Sequence, residues 1–177
     1  MGLPVVPFDC VENEYSPVDF EIYIATGYNG MNKLRRDKFY EAKEKGYKLP
    51  NWIHPSASMY SESIGEGNLI FENVQLGIDC AIGNGNIFLP SALISHHTRV
   101  EDFNYFAPRA ALAGDCKVGN NCFFGINCTV INGLTISDYT LIGAGVCLSM
   151  CTSAGDVILP ALSRKAEGRN SSEYFRV

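Results

Sequence analysis

Several features of common protein classes are missing from this sequence. Its 177 residues contain no apolar run of the roughly 18 residues that a membrane-spanning helix needs, and no positively charged start followed by an apolar signal core. No run of five or more lysines and arginines occurs and the net charge is −5, so nucleic acid and anionic membranes are disfavoured as main partners. No glycine-rich G-x-G-x-x-G loop follows a strand-like segment. We therefore expect a cytoplasmic protein that does not insert into a membrane.

From Ile64 onward the chain repeats with a period of six residues. An apolar residue opens each of sixteen consecutive hexads through Leu159, the second place is often Gly, and the fifth is often small. Six residues do not fit a helical period, and β-branched residues and Gly are frequent. The pattern predicts very short strands joined by tight corners, three to a coil, in a triangular parallel β solenoid of about five and a third coils. The opening residues are Ile64, Ile70, Leu76, Ile82, Phe88, Ile94, Val100, Phe106, Leu112, Val118, Phe124, Val130, Ile136, Ile142, Leu148 and Ala154.

The seven cysteines follow this repeat. Four of them, Cys80, Cys116, Cys122 and Cys128, occupy the small fifth place, where a thiol acts as a compact apolar group, and no Cys-x-x-Cys motif occurs. Reduced, structural cysteines fit a cytoplasmic chain, although a role as nucleophile or metal ligand remains the alternative. We predict that the protein needs no metal.

The repeat divides the chain into three parts. Residues 1–53 lack it: "VVPF" and "FEIYIATGYN" predict strands, and "MNKLRRDKFYEAKEKGYKLP" predicts a charged helix that begins near Asn29 or Asn32 and stops at Gly46 and Pro50. These residues form a small partial α/β segment, residues 54–160 form the solenoid, and residues 161–177 form a polar tail. The tail is either a solvated strand or helix, or a source of positive charge for a phosphate-bearing ligand. Its basic residues are Arg164, Lys165, Arg169 and Arg176.

Two of the three histidines stand side by side in "LISHHTRV". Imidazole is mostly neutral yet basic near pH 7, which suits a general base. Neighbouring residues of an extended segment point to opposite sides, so only one of His96 and His97 is expected to face a given cleft. Glu101 and Asp102 either orient a histidine or are exposed corner carboxylates. His54, in "IHPSA", is expected to be a hydrogen-bonded turn residue.

The hexads, "HPSA", "ISHHTRVEDF" and "AGDCKVGNNCFFGINCTV" together resemble the left-handed β-helix acetyltransferases. Within them the chain looks like the bacterial amino-sugar N-acetyltransferases and the sialic-acid O-acetyltransferases, and "IATGYNGMNKLRRDKFYEAKEKGYKL" is similar to the end of their small α/β domain. The resemblance implies a mainly β fold, a left-handed parallel β-helix preceded by a small α/β segment. It also implies a homotrimer that binds acetyl-CoA between neighbouring coils and a sugar acceptor beside a histidine.

The resemblance also implies roles for individual residues. His96 matches the general base, and His97 stands where the amino-sugar enzymes usually have an acidic residue. The Gly114 amide matches the N–H that faces the acetyl carbonyl, and Tyr105 matches a second histidine that faces the acetyl group. For Asn127 and Asn121, contact with pantetheine or sugar competes with a purely structural role at a corner. The cofactor-binding residues expected on this basis are Gly114, Tyr105, Ile126, Asn127, Ala144 and Lys165.

Three functions follow from the sequence. The first is acetyl-CoA-dependent acetylation of the amino group of a nucleotide-linked amino sugar for bacterial surface glycans such as lipopolysaccharide. The second is O-acetylation of a sugar hydroxyl, because this chain begins beyond the glycine-rich turn with which the amino-sugar enzymes hold the nucleotide. The third is a non-catalytic solenoid scaffold, which the substitution of His97 for an acidic residue would fit.

Overall fold

The computed structural model describes residues 2–161, and their main body is a triangular β solenoid. Eighteen two-residue strands pair in parallel into three sheets of seven, six and five strands, or six coils at three strands each. Face 1 holds β1 Trp52–Ile53, β4 Leu69–Ile70, β7 Ile87–Phe88, β10 Tyr105–Phe106, β13 Phe123–Phe124, β16 Leu141–Ile142 and β18 Val157–Ile158. Face 2 holds β2 Ser58–Met59, β5 Gln75–Leu76, β8 Leu93–Ile94, β11 Ala111–Leu112, β14 Thr129–Val130 and β17 Cys147–Leu148. Face 3 holds β3 Ser63–Ile64, β6 Ala81–Ile82, β9 Arg99–Val100, β12 Lys117–Val118 and β15 Thr135–Ile136.

Each place of the hexad has its own position in the solenoid. The first residue of each hexad from Ile64 to Leu148 points inward, and the fourth takes a left-handed backbone conformation in the hexads that begin at Ile64 to Ile142, as His97 does with φ 59°. This left-handed residue turns the chain from one face to the next. Glycine at the second place is required by close stacking, because a Cβ on Gly125 would lie 2.5 Å from the backbone nitrogen of Ala144 in the next coil.

Stacked side chains fill the inside of the solenoid. Phe88, Phe106 and Phe124 stack along face 1 with ring centroids 4.7 and 4.4 Å apart. Burial raises the pKa of Cys122 and of Cys128 to about 12, so these thiols stay protonated and poorly nucleophilic. All seven cysteines are free, which agrees with the expected reduced state.

The hexad register holds through Leu148 and then breaks. Ala154, predicted to open the sixteenth hexad, lies in an exposed loop, so this part of the prediction is wrong. Ile158 pairs instead with Ile142, 16 residues earlier rather than 18. The predicted start is also late, because Trp52 and Ile53 already form the first strand of face 1. The solenoid therefore has six coils rather than five and a third.

The segment before the solenoid contains fewer strands than predicted. "VVPF" and "FEIYIATGYN" form no strand; the structure has a 3₁₀ helix at Phe8–Asn13 and a single bridge between Glu21 and Lys48. A strand-like sequence needs a partner, and the described residues offer this segment only one bridge. The helix α1, Lys33–Glu44, is confirmed and follows Asn32. With 12 residues it is the only α-helix of residues 2–161, and no helix there is long and apolar enough to cross a membrane.

Arg35 attaches α1 to the corner between face 3 and face 1. Its side chain is only 1% exposed and donates hydrogen bonds to the carbonyls of Gly85, Phe103 and Asn104 at 2.9–3.1 Å. Burial lowers the pKa of Arg35 to about 10, so the guanidinium remains charged near neutral pH. Backbone carbonyls thus satisfy its donors and hold the helix on the solenoid.

Candidate active site

The corner from β8 on face 2 to β9 on face 3 places His96 and His97 together. Because His97 has a left-handed φ of 59°, the two side chains do not alternate as in a strand. Their Nδ1 atoms are 2.9 Å apart and their rings meet edge to face with centroids 5.1 Å apart. The two rings are therefore in contact, but of the two only His96 lines the depression on face 2, as expected.

Two carboxylates from the adjacent coils flank this pair. Asp79 Oδ2 lies 3.4 Å from His97 Nε2. Asp115, one coil further on, offers a carboxylate oxygen within 4.8 Å of a ring nitrogen of each histidine. Sequence reasoning missed both residues, yet they share the fourth hexad place with His97 and are spaced by the 18 residues of one coil.

The two carboxylates nearest in sequence lie elsewhere. Asp102 Oδ1 accepts the backbone N–H of Asn84 at 2.7 Å, at the corner between face 3 and face 1. Glu101 is exposed and follows β9 on face 3. Asp102 therefore has a structural role, and Glu101 is an exposed carboxylate. Neither contact pattern fits a residue that orients a histidine.

His96, His97 and Asp115 each offer an atom that could bind a metal ion. Two nitrogens on a tetrahedral zinc with Zn–N bonds of 2.0–2.1 Å lie about 3.4 Å apart. The separation of 2.9 Å between the two Nδ1 atoms is shorter than that and is typical of a shared hydrogen. The geometry thus favours a hydrogen bond between the histidines.

Gly114 lies directly beside the imidazole of His96. A Cβ at this glycine would be 2.5 Å from His96 Nε2, so the ring occupies space that any other residue would take. Gly114 accepts a hydrogen bond from Gly133 N–H, and its own N–H has no backbone or side-chain acceptor among residues 2–161. The His96 ring therefore packs directly against Gly114, a residue whose backbone N–H is free.

A depression of about 450 Å³ opens beside His96 on face 2. Ser58, Tyr60, Gln75 and Leu93 contribute to its lining. A larger depression of about 540 Å³ lies on face 3, where it is lined by Arg99, Lys117 and neighbours and includes neither histidine of the pair. The depression on face 2 is therefore the one next to the histidine pair.

Tyr105 does not join this cluster within one chain. It lies on β10 of face 1, where its ring stacks on Phe123 and meets the edge of Tyr28. Burial, with a smaller effect of Tyr28, raises the pKa of Tyr105, and Arg35 opposes the shift. The phenol therefore stays protonated near neutral pH, as a hydrogen-bond donor.

The other expected cofactor-binding residues lie at the corner between face 1 and face 2. Ile126 O accepts a hydrogen bond from Gly145 N–H at 2.9 Å, next to Ala144, and Asn127 has a left-handed φ of 54°. This corner is at the opposite edge of face 2 from His96 and belongs to later coils. Lys165 and the other basic residues of the tail lie outside the described residues.

Two further polar residues have structural contacts. His54 Nδ1 lies 2.9 Å from Ser56 Oγ and accepts the Ser56 N–H, which confirms the predicted turn role. Asn121 Nδ2 donates to the carbonyl of Met31 and so links the corner to the start of α1. The structural interpretation of Asn121 is the one these contacts favour.

No protein-family model matches the sequence. Among solved structures, the acetyltransferase domain of PglB from Neisseria gonorrhoeae FA1090 in complex with acetyl coenzyme A aligns with TM-score 0.81 and 26% identity over 88% of this chain and 75% of that chain. A histidine-to-alanine variant of GDP-perosamine N-acetyltransferase from Caulobacter crescentus, in complex with CoA and GDP-perosamine, aligns with TM-score 0.76 and 29% identity over 83% of this chain and 68% of that chain. PerB from Caulobacter crescentus, in complex with CoA and GDP-perosamine, aligns with TM-score 0.68 and 28% identity over 84% of this chain and 68% of that chain. The six-coil solenoid and these neighbours show that the chain is similar in fold to the left-handed β-helix, hexapeptide-repeat acetyltransferases, and that the sequence resemblance to them extends to the structure.

Proposed function

We propose that this protein transfers the acetyl group of acetyl-CoA to the amino group of a nucleotide-linked amino sugar. The observation that carries the proposal is the contact between the His96 imidazole and Gly114 beside the face 2 depression. The alignment with sugar N-acetyltransferases that bind CoA and GDP-perosamine supports the choice of donor and acceptor class.

In this proposal His96 Nε2 accepts a proton from the sugar amine as its nitrogen attacks the thioester carbonyl. The N–C bond forms, the Gly114 N–H stabilises the negative charge on the carbonyl oxygen, and the C–S bond then breaks. The CoA thiolate leaves readily, because a thiol with a pKa of about 8.5 is a good leaving group, and takes up the proton from His96. No covalent enzyme intermediate and no metal takes part.

We also propose that the active unit is a homotrimer with acetyl-CoA bound between subunits. The corner formed by Ile126, Asn127 and Ala144 lies at the opposite edge of face 2 from His96. A neighbouring copy of the chain would therefore have to bring these residues to the His96 site. Exposed apolar side chains on and beside face 2 support such contact, since Ile78 and Leu93 are 61% and 37% exposed. Sedimentation equilibrium is expected to give three times the chain mass of 19.4 kDa.

A coupled assay of CoA thiol release tests the proposed function. The panel contains nucleotide-linked amino sugars, the free amino sugars and sugars with only hydroxyl acceptors. We expect CoA release with nucleotide-linked amino sugars. We also expect that EDTA does not change the rate of this release. Release only with hydroxy sugars would transfer the assignment to O-acetylation, and no release with any acceptor would favour a scaffold. The role in bacterial surface glycans and the cytoplasmic location stay predictions from the sequence.

Replacing Gly114 with alanine is expected to lower kcat about 10²-fold, the scale associated with a misplacement of about 1 Å at a reacting centre. The new Cβ would overlap the His96 ring, which is exposed and can move aside, so thermal stability should change little. The matched control is Gly27→Ala, where an added Cβ meets nothing within 4 Å. Equal activity of the two variants would show that the position of the His96 ring next to Gly114 is not needed for transfer.

A further inference from the structure

His97 is held by contacts on both sides of the corner. Its backbone N–H donates to Ile78 O at 2.9 Å in the preceding coil. Its ring reaches back to Asp79 through Nε2, at 3.4 Å, and sideways to His96 through Nδ1, at 2.9 Å. Both nitrogens of this imidazole therefore have a defined neighbour.

We propose that Asp79 and His97 form a positioning relay that keeps the hydrogen of His96 on Nδ1 and leaves His96 Nε2 free to accept the acceptor's proton. The inference rests on the proposed function of His96 as the base. His97 and Asp79 are positioning residues, because they act through His96 and not on the substrate.

The assignment of hydrogens follows from the donors and acceptors available. Asp79 Oδ2 lies 3.4 Å from His97 Nε2, within ion-pair distance, and an ionised carboxylate favours the tautomer that carries its hydrogen on the facing nitrogen, so we assign the hydrogen of neutral His97 to Nε2. His97 Nδ1 is then an acceptor, and the 2.9 Å contact requires the hydrogen on His96 Nδ1. His96 Nε2, which would lie 2.5 Å from a Cβ added at Gly114, is left with its lone pair.

The charges around the pair also suit proton uptake by His96. When His96 accepts a proton, the positive charge lies between Asp79 and Asp115, the carboxylates of the two adjacent coils. The nearest cation on the adjoining strand is Arg99, whose guanidinium is bonded to Glu62 at 2.8 Å. Asp79 thus supplies negative charge to the histidine pair from the preceding coil, and Asp115 supplies it from the following coil.

The tautomers are measured directly by ¹⁵N-detected NMR of histidine-labelled protein. The chain has only three histidines, and His54→Gln identifies the signal of the first. We expect His96 as the Nδ1–H form and His97 as the Nε2–H form. In His97→Gly, which keeps the left-handed backbone without strain, His96 is expected to revert to the Nε2–H form favoured by an unconstrained histidine side chain. His96 in the Nε2–H form in the unmodified protein would overturn the proposal.

Kinetics test the same relay. His97→Gly is expected to lower kcat roughly 10- to 100-fold, the usual cost of losing a group that orients a histidine. His97→Asp should recover most of it, because an aspartate oxygen takes the place of the Nδ1 acceptor and Asp79 and Asp115 already occupy this corner position with left-handed φ. Recovery no better than in His97→Gly would contradict the proposal.

Asp79→Asn removes the carboxylate and keeps the shape. Protonated His96 loses a stabilising charge, so the acid limb of the kcat profile is expected to move to lower pH while kcat falls. Asp19→Asn, an exposed carboxylate of the N-terminal segment, is the charge-matched control. If the acid limb of the kcat profile of Asp79→Asn does not move, the relay is contradicted. If His96→Ala keeps full activity, the proposed base fails; if only the relay variants keep it, the relay alone fails.

Discussion

His96→Ala is expected to lower kcat by about 10²–10⁴-fold, the usual contribution of a general base. The imidazole of His96 is the side chain that an added Cβ at Gly114 would meet first, and the Gly114 N–H has no acceptor among residues 2–161. The KM for acetyl-CoA should change little, since the side chain acts on the acceptor. CoA release under saturating donor and acceptor measures the effect.

The matched control for this substitution is His54→Ala. His54 is bonded to Ser56 within its own turn and lies at a different corner of the solenoid. Its loss is expected to leave kcat within about twofold, as is usual for surface changes. If His96→Ala retains full kcat, then general-base catalysis by this residue is ruled out, whereas equal losses in both variants would indicate a general effect on folding.

Phe106→Ala is expected to lower the free energy of unfolding by about 3–5 kcal/mol. The ring is fully buried and stacked between Phe88 and Phe124 at 4.7 and 4.4 Å, so its removal leaves a cavity that the rigid coils cannot close. For a chain of this size the loss corresponds to a fall of roughly 6–20 °C in Tm. Urea denaturation at fixed protein concentration gives the free energy, since assembly would make stability depend on concentration.

Phe20→Ala makes the same truncation at a residue that is 47% exposed. Its ring meets Tyr15 edge to face at 5.1 Å and is outside the solenoid. We expect a loss of under about 1 kcal/mol, because little apolar area is returned to water. Similar losses in the two variants would mean that the stack of aromatic rings is not a main source of stability.

The repeat made most of the solenoid predictable from sequence. A period of six with an apolar first place identifies the inward residues, and the small fifth place correctly marks Cys80 and Ala92 as core residues. The failures lie where the period ends. Nothing in the hexad pattern shows that Ala154 is skipped, because that depends on which strand of face 1 the last residues can pair with.

The candidate site was predictable in part. The sequence resemblance indicated His96 and Gly114, and the structure places them in contact. It did not indicate Asp79 and Asp115, although the 18-residue spacing contains that information once a coil is known to hold three hexads. Strand alternation did not predict the contact between the two imidazole rings, because His97 is a corner residue with positive φ.

The sequence by itself determined the solenoid, its inward residues up to Leu148 and the adjacency of the two histidines. A six-residue period with an apolar first place is satisfied when these residues stack on their neighbours three hexads away. Only the tertiary structure decided what surrounds the histidines. The corner turns at His97, and coil stacking brings Asp79, Asp115 and Gly114 to the pair from residues 17 to 19 positions away. Contacts between coils depend on the exact turn geometry at each corner, which the identity of a residue restricts but does not fix.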